Sequence, residues 1–326
     1  MESSSAINLP LDALIGDISD IHCEQKNFEL NGLQIATFTY TLSSWTGQEG
    51  NKSNGTVVAI HGGPAFCHNY ILPLILLVRD GYTVVFYDQA GCGLSSIVKD
   101  PELEAPWLLT IEYYIKELEE LIKFMNLQHF FLYGSSWGTI VCQEYAVKQP
   151  KGLMGMILDG ALSDAELYIQ TQWRDRISTL PTITQNLLKQ CIANKDFQSP
   201  LFKTLNDNIA NHFTCRLIPP AECFMQSFER MNSILYSKMQ GECEFMIGGV
   251  LQDWNITNRL YLVECPVLVL AGEFDTMTEE CSQAIVQACP HAVPLITIPR
   301  ASHCKLLEEP QVCVAHMAAF LKPLVR

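Results

Sequence analysis

Basic side chains are scarce in this chain of 326 residues: 21 Lys and Arg stand against 35 Asp and Glu, a net charge of −14. Such a balance repels a nucleic-acid backbone, and no basic stretch offsets it, so no nucleic-acid partner is expected. Long apolar runs are also missing. The longest, Tyr70–Val78, is far too short to span a bilayer, so no membrane partner is expected either. The start, Met1-Glu2-Ser3-Ser4-Ser5, lacks a basic region followed by an apolar core, so the expectation is no secretory leader, a cytoplasmic location and no glycan on Asn51, Asn54 or Asn255. The 13 cysteines include no C-x-x-C pair, which argues against both a zinc site and a disulfide framework. They are expected to be buried thiols in a reducing compartment, with Cys67, Cys92 and Cys304 packing the walls of a site. No cluster suggests a metal, nucleotide or flavin, so no cofactor is expected, and nothing specifies an oligomeric state.

What is present suits a large folded core, with 48% hydrophobic and 17% charged residues. Residues 1–20 read as a loose or partly helical lead-in. From Cys23 to Tyr40 apolar residues alternate around Asn31-Gly32, a strong hairpin signal. Trp45–Gly55 reads as a loop. Buried strands are expected at Thr56–Ile60, Thr83–Tyr87, Phe130–Tyr133, Gly155–Leu158, Pro266–Ala271 and Val293–Ile298. Helices are expected at His68–Asp80, Thr110–Met125, Thr278–Ala288 and Pro310–Leu321. In Thr110–Met125 the apolar residues Ile111, Tyr114, Ile115, Leu118, Leu121 and Ile122 line one side, with Lys and Glu on the other. Strands alternating with helices imply a mostly parallel sheet with crossover helices. Between Ala161 and Gly249 no strand pattern occurs. The expected organisation is therefore a core in two parts, 1–160 and 251–326, with a helical cap inserted at 161–250.

The chemistry concentrates at Gly134-Ser135-Ser136-Trp137-Gly138, where a strand meets a tight turn and then a helix. This is the G-x-S-x-G pattern of a nucleophile elbow, and Ser136 is the candidate nucleophile. A serine hydroxyl needs a base, and His303, after the last strand, is the best placed. The base needs an acid to orient it, and Asp275 follows the preceding strand; it also suits a helix N-cap, for which Thr276 and Thr278 compete. Ser136, Asp275 and His303 follow the chain order of an α/β-hydrolase triad. Donors for a developing oxyanion are expected from the N–H groups of Trp137 and of Gly63, in His61-Gly62-Gly63-Pro64. Asp88-Gln89 reads as a loop brace.

Together, His61-Gly62-Gly63-Pro64, Asp88-Gln89-Ala90-Gly91-Cys92-Gly93-Leu94-Ser95, Gly134-Ser135-Ser136-Trp137-Gly138, Gly272-Glu273-Phe274-Asp275 and Ser302-His303 resemble the proline iminopeptidase family of α/β-hydrolases over about residues 28 to 326. The resemblance implies an α/β-hydrolase fold with a helical cap, and a Ser-Asp-His hydrolase that releases N-terminal residues from small peptides. It also implies that Glu244, in Met239-Gln240-Gly241-Glu242-Cys243-Glu244-Phe245, grips the substrate's free amine; a solvated cap residue is the other reading of Glu244. The chain departs from the family at Ala65 and Ala90, and at Thr276, where some members carry a second amine-binding glutamate. Two further readings follow: an esterase, lactonase, thioesterase, acyltransferase or cyclase acting on a small metabolite, and a non-catalytic ligand-binding protein on the same frame.

Overall fold

The computed structural model describes residues 8–45 and 53–325. The beginning of the lead-in, the middle of the loop after Trp45 and the asparagine of the Asn51 sequon lie outside them. Among the described residues eight strands form one sheet: β1 Ile21–Leu30, β2 Leu33–Leu42, β3 Thr56–Ile60, β4 Thr83–Tyr87, β5 Phe130–Ser135, β6 Leu153–Asp159, β7 Val267–Gly272 and β8 Ile296–Ile298. Their spatial order is β1-β2-β4-β3-β5-β6-β7-β8. β1 pairs antiparallel with β2, and β2 with β4; every other pairing is parallel. The β1–β2 hairpin closes on Asn31 and Gly32, both at positive φ (51° and 80°), as a two-residue primed turn requires.

The parallel strands are buried on both faces, which is why their sequences are continuous apolar runs rather than alternating ones. Val58, Ile60, Leu132, Leu158 and Val269 pack to one side, against helix Ile111–Phe124 and its neighbours. Val57, Ala59, Phe131, Tyr133, Ile157 and Leu268 pack to the other, against the turns of His68–Val78 and helix Pro310–Leu321. Each fully buried large side chain contributes about 1.5–3 kcal/mol.

β5 and β6 run one or two residues beyond the expected ranges, and two elements differ more substantially. β8 begins at Ile296 rather than Val293, because Pro294 has no N–H for the ladder. His68–Val78 winds as a 3₁₀ helix with Pro73 inside it. Between β6 and β7 the chain leaves the sheet as a helical insert: Ala165–Thr171, Thr182–Ala193, Pro200–Phe213, Glu222–Glu229 and Ser233–Met239. Part of this insert closes over a small apolar centre of its own, with Ile177, Leu188, Phe202, Leu205 and Phe245. The carboxyl ends of β3, β5, β6, β7 and β8 all open toward one edge of the sheet, beneath the insert. That edge is where ligands sit in open parallel sheets.

Candidate active site

Ser136 sits between the end of β5 and helix Trp137–Ala146, at φ 55° and ψ −122°. A non-glycine residue held at positive φ is strained, and the surroundings enforce it. Its N–H donates to the Asp159 carbonyl at 2.9 Å, and its own carbonyl accepts from Thr139 N–H at 2.8 Å and Thr139 Oγ1 at 2.7 Å. The flanking glycines are steric necessities: a Cβ on Gly138 would lie 2.1 Å from the Ile60 carbonyl oxygen, and one on Gly134 2.5 Å from that of Gly138. The helix that starts behind Ser136 leaves the Trp137 N–H without an intrahelical partner.

Asp275 and His303 leave the ends of β7 and β8 and meet directly, with His303 Nδ1 2.7 Å from Asp275 Oδ1. Asp275 Oδ1 also accepts the Met277 N–H at 2.8 Å, and Oδ2 accepts the Gly272 N–H at 3.2 Å. Lys305, fully buried, places its ammonium 2.9 Å from Asp275 Oδ2 and 2.6 Å from Asp159 Oδ1. Burial alone would raise the Asp275 carboxyl, but Lys305 and His303 outweigh it and hold the group below the usual carboxylate range. Burial pushes the His303 imidazole down; the Asp275 charge and hydrogen bond push it up further, against Lys305, so it ends above its ordinary value.

Ser136 and His303 line one cavity of about 230 Å³, together with Gly63, Tyr70 and Glu244. Ser136 Oγ makes no hydrogen bond among the described residues, and in free enzymes such contacts are commonly long. Nor do the N–H groups of Gly63 and Trp137 donate to a protein acceptor there. Gly63 lies at φ 116°, while the preceding Gly62 N–H is taken by Tyr70 Oη at 2.7 Å. A larger hollow of about 570 Å³, around Gly152, Pro266 and Pro323, contains none of these groups.

The Asp88-Gln89 loop braces the site from behind. Asp88 accepts from His68 Nδ1 at 2.8 Å and Leu94 N–H at 2.8 Å. Gln89 takes the Trp137 indole N–H at 2.8 Å and gives its own amide N–H to the His61 carbonyl at 3.0 Å. Burial lowers the His61 pKa to about 4, so its imidazole is neutral and serves as a hydrogen-bonding strut.

Glu244 is partly buried on the cavity wall, where its Oε2 accepts from Tyr236 Oη at 3.1 Å. Burial raises its carboxyl above the ordinary value, while His303 and the Tyr236 hydrogen bond partly oppose this. Thr276 does not reach the cavity. Its hydroxyl lies 2.9 Å from Tyr168 Oη and 3.1 Å from Gln172 Oε1, and Tyr168 Oη also donates to the Glu244 carbonyl at 2.7 Å. The remaining walls are mostly apolar, with Phe66, Phe224, Phe228 and Met231, but Glu242 adds a second carboxylate, whose Oε1 accepts from Ser237 Oγ at 2.9 Å.

The alpha/beta hydrolase fold family model matches residues 55–310. The proline iminopeptidase of Thermoplasma volcanium is 32% identical over 255 residues, covering 78% of this chain and 84% of that protein. The chain belongs to the proline iminopeptidase-like α/β-hydrolases. Among solved structures, proline iminopeptidase from Mycobacterium smegmatis superposes with a TM-score of 0.83 at 27% identity, covering 92% of this chain and 98% of that one. VinJ superposes with a TM-score of 0.84 at 26% identity, covering 93% and 99%.

Set within this hydrolase frame, Lys305, Asp159 and Tyr236 are the site residues that sequence reasoning misses. Lys305 follows His303 by two positions, in the short helix Lys305–Glu308, and nothing local marks it as buried. Its only signal is Asp159, a lone charge at the end of an apolar strand. All 13 cysteines are unpaired, and all but Cys23 are buried; of Cys67, Cys92 and Cys304, expected to pack the site walls, only Cys304 lines the cavity, where Cys243 joins it. Among the described residues no cluster of three or more His, Cys, Asp and Glu could hold a metal ion, and no helix is long and apolar enough to cross a membrane.

Proposed function

We propose that this hydrolase is an aminopeptidase or amidase that releases N-terminal residues from small peptides through an acyl-enzyme. In this reading Ser136 Oγ attacks the carbonyl carbon and His303 takes its proton. The N–H groups of Gly63 and Trp137 stabilise the oxyanion, and His303⁺ protonates the leaving amine. Water then attacks the acyl-enzyme by the same route in reverse. Asp275 holds the imidazole in the correct tautomer through the 2.7 Å bond at Nδ1.

The observation that carries the choice of substrate is Glu244, a carboxylate on the wall of the cavity that also holds Ser136. A carboxylate there attracts a cationic N-terminus, and the small volume suits one short aminoacyl group. That the M. smegmatis and T. volcanium relatives are named proline iminopeptidases supports the same reading. The mostly apolar remainder of the cavity, with Phe66, Phe224, Phe228 and Met231, favours the ester, lactone or thioester alternative, although Glu242 joins Glu244 in its lining.

The test is a panel of aminoacyl-naphthylamides, proline included, run against the wild type and Ser136→Ala. Turnover that disappears in Ser136→Ala is the expected result. Absence of Ser136-dependent turnover across the panel would sink the peptidase reading.

A further inference from the structure

Behind the Asp275–His303 pair lies a chain of alternating charges with no part in the proposed acyl transfer. The Lys305 ammonium is ion-paired with Asp159 Oδ1 at 2.6 Å and with Asp275 Oδ2 at 2.9 Å, and it donates a hydrogen bond to the His303 carbonyl at 3.1 Å. The far oxygen of Asp159 accepts from Tyr133 Oη at 2.6 Å, and the Asp159 main-chain carbonyl holds the Ser136 N–H at 2.9 Å. One ammonium thus ties together the ends of β5, β6 and β7 and the His303 loop. A lysine with no exposure to water is costly to desolvate. A core of this kind could be closed by apolar side chains, so the placement of this charge against a triad carboxylate calls for a chemical reason.

We propose that Lys305 is a positioning residue for the Ser136–Asp275–His303 chemistry, locking the Asp275 carboxylate in the orientation that bonds His303 Nδ1 and setting a positive charge opposite the imidazolium. The inference rests on the hydrolase reading given above. With Oδ2 committed to Lys305 and the Gly272 N–H, Asp275 can offer only Oδ1 to His303. The charge acts in a second way. A buried Asp–His pair without it over-stabilises the imidazolium, and a base that is protonated at the working pH cannot take a proton from serine. The charged or titratable groups acting on His303 are Asp275, Lys305 and Glu244. Those around Lys305 are Asp159, Asp275 and His303, with the thiols of Cys304 and Cys313 nearby.

The experiment uses the rate of covalent labelling by a fluorophosphonate probe, which needs no knowledge of the substrate. That rate is followed from pH 4 to 9 in the wild type, in Lys305→Met and in Asp159→Asn/Lys305→Met, which removes the Lys305–Asp159 pair without leaving Asp159 as an uncompensated charge. Labelling falls as His303 becomes protonated. Loss of the opposing ammonium makes protonation easier, so the acid limb moves up by about one pH unit in both variants. Below that limb the rates fall by about tenfold relative to wild type. A folded variant whose acid limb stays in place, or moves down, overturns the proposal and leaves Lys305 a packing role. Failure of both variants to fold also overturns it. A wild-type protein that does not label counts against Ser136 as nucleophile, a separate failure of the underlying reading.

Discussion

Replacing Glu244 by Gln keeps the shape of the cavity wall and removes that one charge while leaving Glu242 in place, so the variant isolates the contribution of Glu244 to an ammonium clamp. A hydrogen bond between charged partners contributes about 1.5–3 kcal/mol, which corresponds to about a ten- to hundredfold loss in kcat/KM for substrates with a free α-amine. The geometry places Glu244 near the upper part of that range. Its side chain is partly buried, Tyr236 already orients one oxygen at 3.1 Å, and the backbone is pinned by Tyr168 Oη at 2.7 Å. The assay pairs prolyl- or alanyl-naphthylamide with a butyrate ester that has no amine. The first should lose ten- to hundredfold in Glu244→Gln, and the second should change by less than about threefold.

pH gives an independent reading of the same contact. Burial raises the Glu244 carboxyl above its ordinary 4.5. The charge that grips the ammonium is present above that raised value and lost as pH falls through it, so KM for the amine substrate should climb on the acid side. The ester should show no such climb, and neither should Glu244→Gln with either substrate. Equal losses on both substrates, or no loss on the amine, would refute the clamp and favour the ester reading.

Gly160, at φ 61°, follows β6, and a Cβ there would lie 2.7 Å from His303 Nδ1 and Cε1; Gly160→Ala should cut fluorophosphonate labelling by about a hundredfold, while the positive φ costs about 1 kcal/mol in urea unfolding. Burial raises the Glu117 carboxyl to about 8, against 4.5 for a free group, so the folded state holds an extra proton between those values. Wild-type stability should therefore fall by about 1.4 kcal/mol per pH unit as pH rises through that window, relative to Glu117→Gln, and parallel denaturation profiles would contradict this.

Glu117 also shows where sequence periodicity runs out. The amphipathic pattern of helix Ile111–Phe124 puts Lys and Glu on the polar side, yet Glu117 is fully buried, because its Oε2 caps the Ala90 N–H at 2.9 Å in the loop after β4. No local pattern can register a partner 27 residues away that lacks any side-chain signature. The meeting of Asp275 with His303 is legible, because each sits at the end of an apolar run in a parallel sheet, and such ends converge by topology. Lys305 is not, since its acceptors come from three separate loops and strands. The short β8 is legible afterwards in Pro294, a residue whose missing N–H outweighs the apolar pattern around it.

The helical insert does more than wall the cavity, because its hydrogen bonds end on the same loops that carry Asp275 and His303. Helix Pro200–Phe213 is capped at its start by Ser199 Oγ and presents its C-terminal carbonyls to the core. The Phe213 carbonyl accepts the N–H of Thr276, the neighbour of Asp275, and the N–H of His303 itself, both at 3.1 Å. The Thr214 carbonyl accepts from Cys304 N–H at 2.7 Å and from Ser302 Oγ at 3.0 Å. These are the unpaired acceptors of a helix end, so the core loops satisfy the insert as much as the insert fixes them. From the other side, Tyr168 joins Thr276 to the Glu244 backbone. A shift of the insert large enough to remake the Glu244 wall would therefore break bonds that hold the Asp275 and His303 loops. On the proposed reading, substrate selection and the acid–base pair are mechanically one unit, and the Thr276 hydroxyl belongs to that linkage, bonded to Tyr168 and Gln172 rather than facing the cavity.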